Sequence, residues 1–129
     1  MPVEIHIDAD RNLIRCIVHG SLSPAELKSV FLTMIDRADF KPGMNVLYDF
    51  TDGITAELTS ENMREHVKTV ASHRQQRGEN YRVAVLAPRD LDFGMFRVYQ
   101  ALADELPLHI RVVRTRDEAD AWLRIKTSE

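Results

Sequence analysis

The chain has 129 residues, 44% of them hydrophobic, enough to close one hydrophobic core without disulfide or metal staples. A formal net charge of -3, with acids and bases interspersed, speaks against a nucleic-acid partner, and the single cysteine, Cys16, excludes an intrachain disulfide and a multi-cysteine zinc cluster. No apolar run approaches the roughly 20 residues of a membrane span, and the opening MPVEIHIDAD has no signal-peptide pattern, so a cytoplasmic protein is expected.

In chain order, Val3, Ile5 and Ile7 alternate with Glu4, His6 and Asp8, the period of a strand with one wet face. The DADRN turn leads to a second strand over 13–19, with Ile14, Cys16 and Val18 on one face, and the two strands form a hairpin. Cys16 in that alternation reads as a buried, inert thiol. Ser23, Pro24 and Glu26 compose an N-cap, a preset first residue and a capping-box acid, so a helix runs from there to about Ala38. NVLYDF at 45–50 is a strand apolar on both faces except at Asp49, and TDGITAEL after it reads as a loop. Thr59 then caps a helix to about Arg77, stopped by Gly78, with the basic HRQQR at 73–77 complementing its dipole.

The segment 82–106, RVAVLAPRDLDFGMFRVYQALADEL, carries the most information: a buried strand breaks at Pro88 and becomes an amphipathic helix. HIRVVR at 109–114 alternates, which suits a place nearer a sheet edge, and Thr115 with Glu118 opens a last helix on which Ala119, Trp122 and Leu123 face inward. The order ββαβαβαβα makes a single α/β domain. Its expected sheet is five-stranded and mainly parallel, with an antiparallel N-terminal strand, four helices and right-handed crossovers.

The hairpin ending in His19 and Gly20, PGMNVLYDFTD at 42–52, RVAVLAP followed by FGMFRVYQ, and the closing DEADAWL at 117–123 together resemble the STAS family, and more closely the small bacterial STAS/SEC14-like proteins of SpoIIAA-like fold. The resemblance spans nearly the whole chain and implies a SpoIIAA-like sheet, with successive parallel strands side by side and helices packed on them. None of its motifs is a catalytic signature, so it bears on fold more than on function. In phosphorylatable STAS domains a serine in an Asp-Ser-Ser-Gly-like helix start is modified by a partner kinase. The matching stretch here offers Thr59 and Ser60, but Leu58 replaces the preceding acid and no glycine follows. An ordinary N-cap would look the same.

Other candidates are weighed residue by residue. His66 and His73 lie seven positions apart, roughly 10 Å along a helix, too far to chelate one ion, and no metal or other cofactor is expected. His19 and His109 have no evident partner. Asp49, near a strand's carboxyl end, could act as an acid or base, although it could equally tie down the loop after it. A set of Ser60, His66 and Asp49 can be assembled on paper, but no GxSxG turn supports it. Between Pro88 and Arg97, Asp90 or Asp92 would cap the helix, Gly94 would allow close backbone approach, and Arg89 and Arg97 could hold an anion beside free amides. Tyr48, Phe50, Phe93, Phe96 and Tyr99 could instead line an apolar pocket.

Two functions are thus expected. The first is a noncatalytic regulatory or interaction module of STAS type that acts through 51–63 and self-associates as a homodimer. The alternative is a binder of a small apolar or anionic ligand at the 88–97 turn.

Overall fold

The structure, a computed structural model, describes residues 3–124. Strands β1 (Val3–Asp8) and β2 (Leu13–Ser21) form the antiparallel hairpin, with Val3 opposite Val18 and Asp8 opposite Leu13. Asn12 turns the chain between them at a φ of 54°. Strands β3 (Asn45–Ile54), β4 (Tyr81–Leu86) and β5 (Leu108–Val113) then add in parallel, so the sheet order β1-β2-β3-β4-β5 repeats the chain order. Among the described residues five helices join or follow them: α1 (Pro24–Ile35), α2 (Ser60–Ser72), α3 (Arg74–Arg77), α4 (Asp90–Leu102) and α5 (Arg116–Leu123).

The helices take unequal shares of the sheet. The crossover helices α1, α2 and α4 cover the front face, where Ile14, Cys16, Val18, Val46, Phe50, Val83 and Val85 meet Val30, Phe31, Met34, Met63 and Phe96. Uniform right-handed crossovers through a sheet laid down in chain order require that common face. Only α5, free of any crossover, lies on the back, its Ala119 and Leu123 sealing Leu47, Ala84, Leu86 and Val113. Cys16 is fully buried, and burial pushes its thiol up to about 12.

Three expectations need correction. Helix α1 stops at Ile35, with Asp36 as its C-cap, not near Ala38. The expected single helix through Arg77 breaks at His73 (φ -112°, ψ 24°), so the described residues form five helices instead of four. There the His73 Nδ1 and the Ser72 hydroxyl both engage the Thr69 carbonyl, local bonding that competes with the helix ladder. The basic run splits accordingly: Arg74 pairs with Glu79 at 2.8 Å, whereas Arg77 is buried, stacked on the Tyr81 ring and donating to the Met44 carbonyl at 2.7 Å.

The third correction bears on the site. Thr51 to Ile54 belong to β3 and not to a loop, because Asp52 to Ile54 pair with the far end of β2 beyond a register shift between Ile17 and His19. Gly53 permits that pairing, since a Cβ there would stand 2.7 Å from Val18 Cγ1. At the opposite end of the sheet Gly78 lies against the Gly43 backbone at a φ of 93°, so it combines a close approach with a left-handed turn.

Candidate functional site

Open α/β sheets usually bind ligands beyond the carboxyl ends of their strands, and here that region lies between the end of β3 and the start of α4. It is filled by the protein's own side chains. Asp92 is 1% exposed. Its Oδ1 accepts from the Thr55 amide at 2.8 Å and the Thr55 hydroxyl at 2.7 Å, and its Oδ2 accepts from Arg89 Nε at 2.9 Å. Arg89 also donates through Nη2 to the Gly53 carbonyl. Neither Asp90 nor Asp92 caps α4: the N-cap is Arg89, whose side chain makes no capping bond, while Asp90 turns out to Arg114 at 2.7 Å. Gly94 is exposed, and a Cβ on it would meet nothing within 4 Å, so no chain approaches it.

Asp49 faces the back of the sheet. Its Oδ1 accepts from the Thr51 amide (2.9 Å) and hydroxyl (2.6 Å), and its Oδ2 from Arg116 Nη2 at 2.8 Å. Burial opposes its ionisation, but the two bonds from Thr51 and the Arg116 guanidinium outweigh that and hold the carboxyl below the usual aspartate value. His66 lies on the front side of the sheet, so Ser60, His66 and Asp49 are not brought together. His66 and His73 both set their rings edge-on to Phe31, at 5.8 and 5.9 Å. His19 pairs with Glu4 at 2.6 Å, and no group of three His, Cys, Asp or Glu side chains among the described residues could hold a metal ion.

Thr59 caps α2 in a capping box with Asn62, its hydroxyl accepting from the Asn62 amide at 3.2 Å. Ser60 is the first helical residue and is exposed. Behind α2, Tyr48, Phe50, Phe96 and Tyr99 do line an apolar cavity together with His66, Met63 and Val85, but at about 30 Å³ it has the size of a single water molecule. Phe93 is absent from its wall. The His66 Nδ1 is buried without a partner, and burial pushes the imidazole down to about 4, which keeps it neutral.

The open space lies elsewhere. Along β5, between α4 and α5, two hollows of about 660 and 540 Å³ share Arg97, Gln100 and Trp122. Trp122 stands between the guanidinium groups of Arg82 (4.5 Å) and Arg111 (4.8 Å) and donates from Nε1 to the Val83 carbonyl at 3.0 Å. Arg97 has no acidic partner among the described residues and keeps only a distant contact, 5.9 Å, with the Phe93 ring. Sequence reasoning singled out Arg97 but missed Arg111, Trp122 and Thr55. The edge-like alternation of HIRVVR was the one local sign of this groove.

No family model matches the chain, and a search of curated proteins found no match. Among solved structures, the crystal structure of an uncharacterized protein of the DUF3478 family from Shewanella loihica, described as having a SpoIIAA-like fold, is similar over 94% of this chain and 91% of its own, with a TM-score of 0.58 and 18% identity. No described helix is long and apolar enough to cross a membrane. At that identity the likeness concerns architecture alone: this chain has the SpoIIAA-like fold.

Proposed function

We propose that the chain is a noncatalytic interaction module of STAS type that works in the cytoplasm, meets a protein partner through the surface at 51–63, and self-associates. The observation that carries this reading is the buried bonding of Thr55 to Asp92. It anchors the segment from within, as do the buried Gly53 and Leu58, while Thr51, Asp52, Ala56, Glu57, Thr59, Ser60 and Glu61 stay exposed. A surface already ordered before a partner arrives loses little conformational entropy on binding. Of the two candidate phosphoacceptors, Thr59 has its hydroxyl in the capping box, so Ser60 is the better placed, and a phosphate there would meet the positive end of the α2 dipole.

The test is affinity capture with Glu57→Lys and Ser60→Glu. Both should lose a partner retained by the wild type, at unchanged melting temperature. Undiminished capture by both removes the proposal.

A small anion remains the second reading, on narrower ground than the sequence offered. Arg89 is bound to Asp92 and Gly53, and Asp49 to Arg116 and Thr51, which leaves Arg97 as the group free to receive it. Thermal-shift screening with phosphate and carboxylates should then give a shift that disappears in Arg97→Ala, and the absence of any hit counts against it.

A further inference from the structure

The two edges of the sheet are finished differently. At β1 the outward carbonyl of Ile5 accepts from Arg37 Nη1 at 3.2 Å, and the Glu4 carboxylate bridges His6 and His19. At β5 no such cover exists among the described residues. The Asn80 amide bonds the Pro107 carbonyl and the Ala87 amide bonds the Val113 carbonyl, so the odd-numbered residues of β5 turn their backbone groups to β4. The amides and carbonyls of Leu108, Ile110 and Val112 therefore point out of the sheet into the groove. An open, unprotected edge is a template for another strand.

The charges beside that edge suit one occupant, a second copy of the chain. Arg97, on α4, and Asp104, in the turn just past the helix end, line the same hollow on either side of Gln100 and Ala101, and neither has an ion-pair partner among the described residues. Opposite charges thus stand at the two ends of one short stretch along the groove. A two-fold axis that pairs two β5 strands antiparallel about Ile110 also sets two α4 helices antiparallel about Gln100 and Ala101. Arg97 then meets the partner's Asp104, and Asp104 meets the partner's Arg97, the reciprocal match that an isologous contact demands. In the strands, Ile110 exchanges both its bonds with the partner's Ile110, and Leu108 with the partner's Val112. On the back face His109 lies opposite the partner's Arg111, over the Trp122 side.

We infer that the chain forms a two-fold dimer by antiparallel pairing of β5 edges, registered by reciprocal ion pairs from Arg97 on α4 to Asp104 in the turn that follows α4 of the other copy. This rests on the self-association in the reading above and specifies its surface, distinct from 51–63. Sedimentation equilibrium on wild type, Arg97→Glu, Asp104→Arg and the double variant is the experiment, both substituted positions being exposed. Each single variant should weaken the dimer by about tenfold or more through like charges brought face to face, and the double variant should restore it. Hydrogen exchange adds a second readout: the Ile110 amide should be protected in the dimer and lose protection on dilution, while the Arg111 amide, turned to β4, stays protected throughout.

A wild type that remains monomeric overturns the inference, as does a dimer indifferent to both reversals. A monomer that captures an extended foreign peptide along β5 also overturns it. Capture of a partner through 51–63 should be the same in Arg97→Glu as in wild type. Loss of the dimer inference and loss of the interaction reading are therefore separate results.

Discussion

The carboxyl-end crevice and the β5 groove contain similar chemistry put to opposite use. In the crevice, Asp92, Thr55 and Arg89 satisfy one another, and the region that an α/β sheet ordinarily offers to a ligand becomes a clamp between β3 and α4. In the groove, Arg97 and Asp104 lack partners among the described residues and face outward beside a row of open backbone groups. Polar residues alone therefore do not mark a site: those of the crevice are matched internally, and those of the groove are not.

The sharpest way to break this contrast is Asp92→Ala. It strands the Thr55 hydroxyl and amide and the Arg89 guanidinium, and should cost about 4 kcal/mol of unfolding free energy in a urea titration. A change under about 1 kcal/mol would mean that the crevice is no clamp. Acid acts next, on α2, which carries the 51–63 surface. His66 titrates at about 4 in the fold against 6.5 when free. The neutral form is the one the fold favours, so its contribution is complete above about pH 6.5, declines as pH falls toward 4, and totals about 3 kcal/mol. The difference in stability between wild type and His66→Phe, followed over pH, should change through that window and be flat above it. A difference independent of pH would be the wrong outcome.

Asp49→Asn should cost less, about 1 kcal/mol at pH 7, because Arg116 is half exposed and solvent screens the pair. With the Asp49 carboxyl held below its usual value, that contribution is present at neutral pH and vanishes as pH drops through the lowered folded value. Equal costs at pH 7 and in acid would contradict this. Smallest of all, Arg97→Ala should move the monomer's stability by no more than about 0.5 kcal/mol, since Arg97 makes no ion pair within the described chain. A larger loss in a melting experiment would show that the groove, too, is bonded from within.

Much of the fold could be read because its signals are local. Ser23, Pro24 and Glu26 declared one helix, Thr115 and Glu118 another, and the alternation from Val3 to Asp8 declared a wet-faced strand. The end of β3 could not be read in that way. Asp52 and Gly53 have weak strand preference, and pairing with His19 and Gly20 some thirty residues earlier holds them extended. Asp92 looked like a helix cap because caps are local, whereas its partner Thr55 stands 37 residues away. Arg97 was visible as a charge, but its lack of an acidic neighbour is a fact of packing that no spacing encodes.

The coincidence of strand order with chain order carries a consequence for how the protein is made. Each parallel strand can dock on the one synthesised just before it, with a single helix between, so no step waits for a distant segment of chain. β5 is the last of the described strands to emerge. During synthesis the edge of β4 is the exposed one until Leu108 to Val113 arrive to cover it, and α5 then seals the back. A truncation before Leu108 would leave Val83 and Val85 on an uncovered edge strand and invite aggregation of nascent chains.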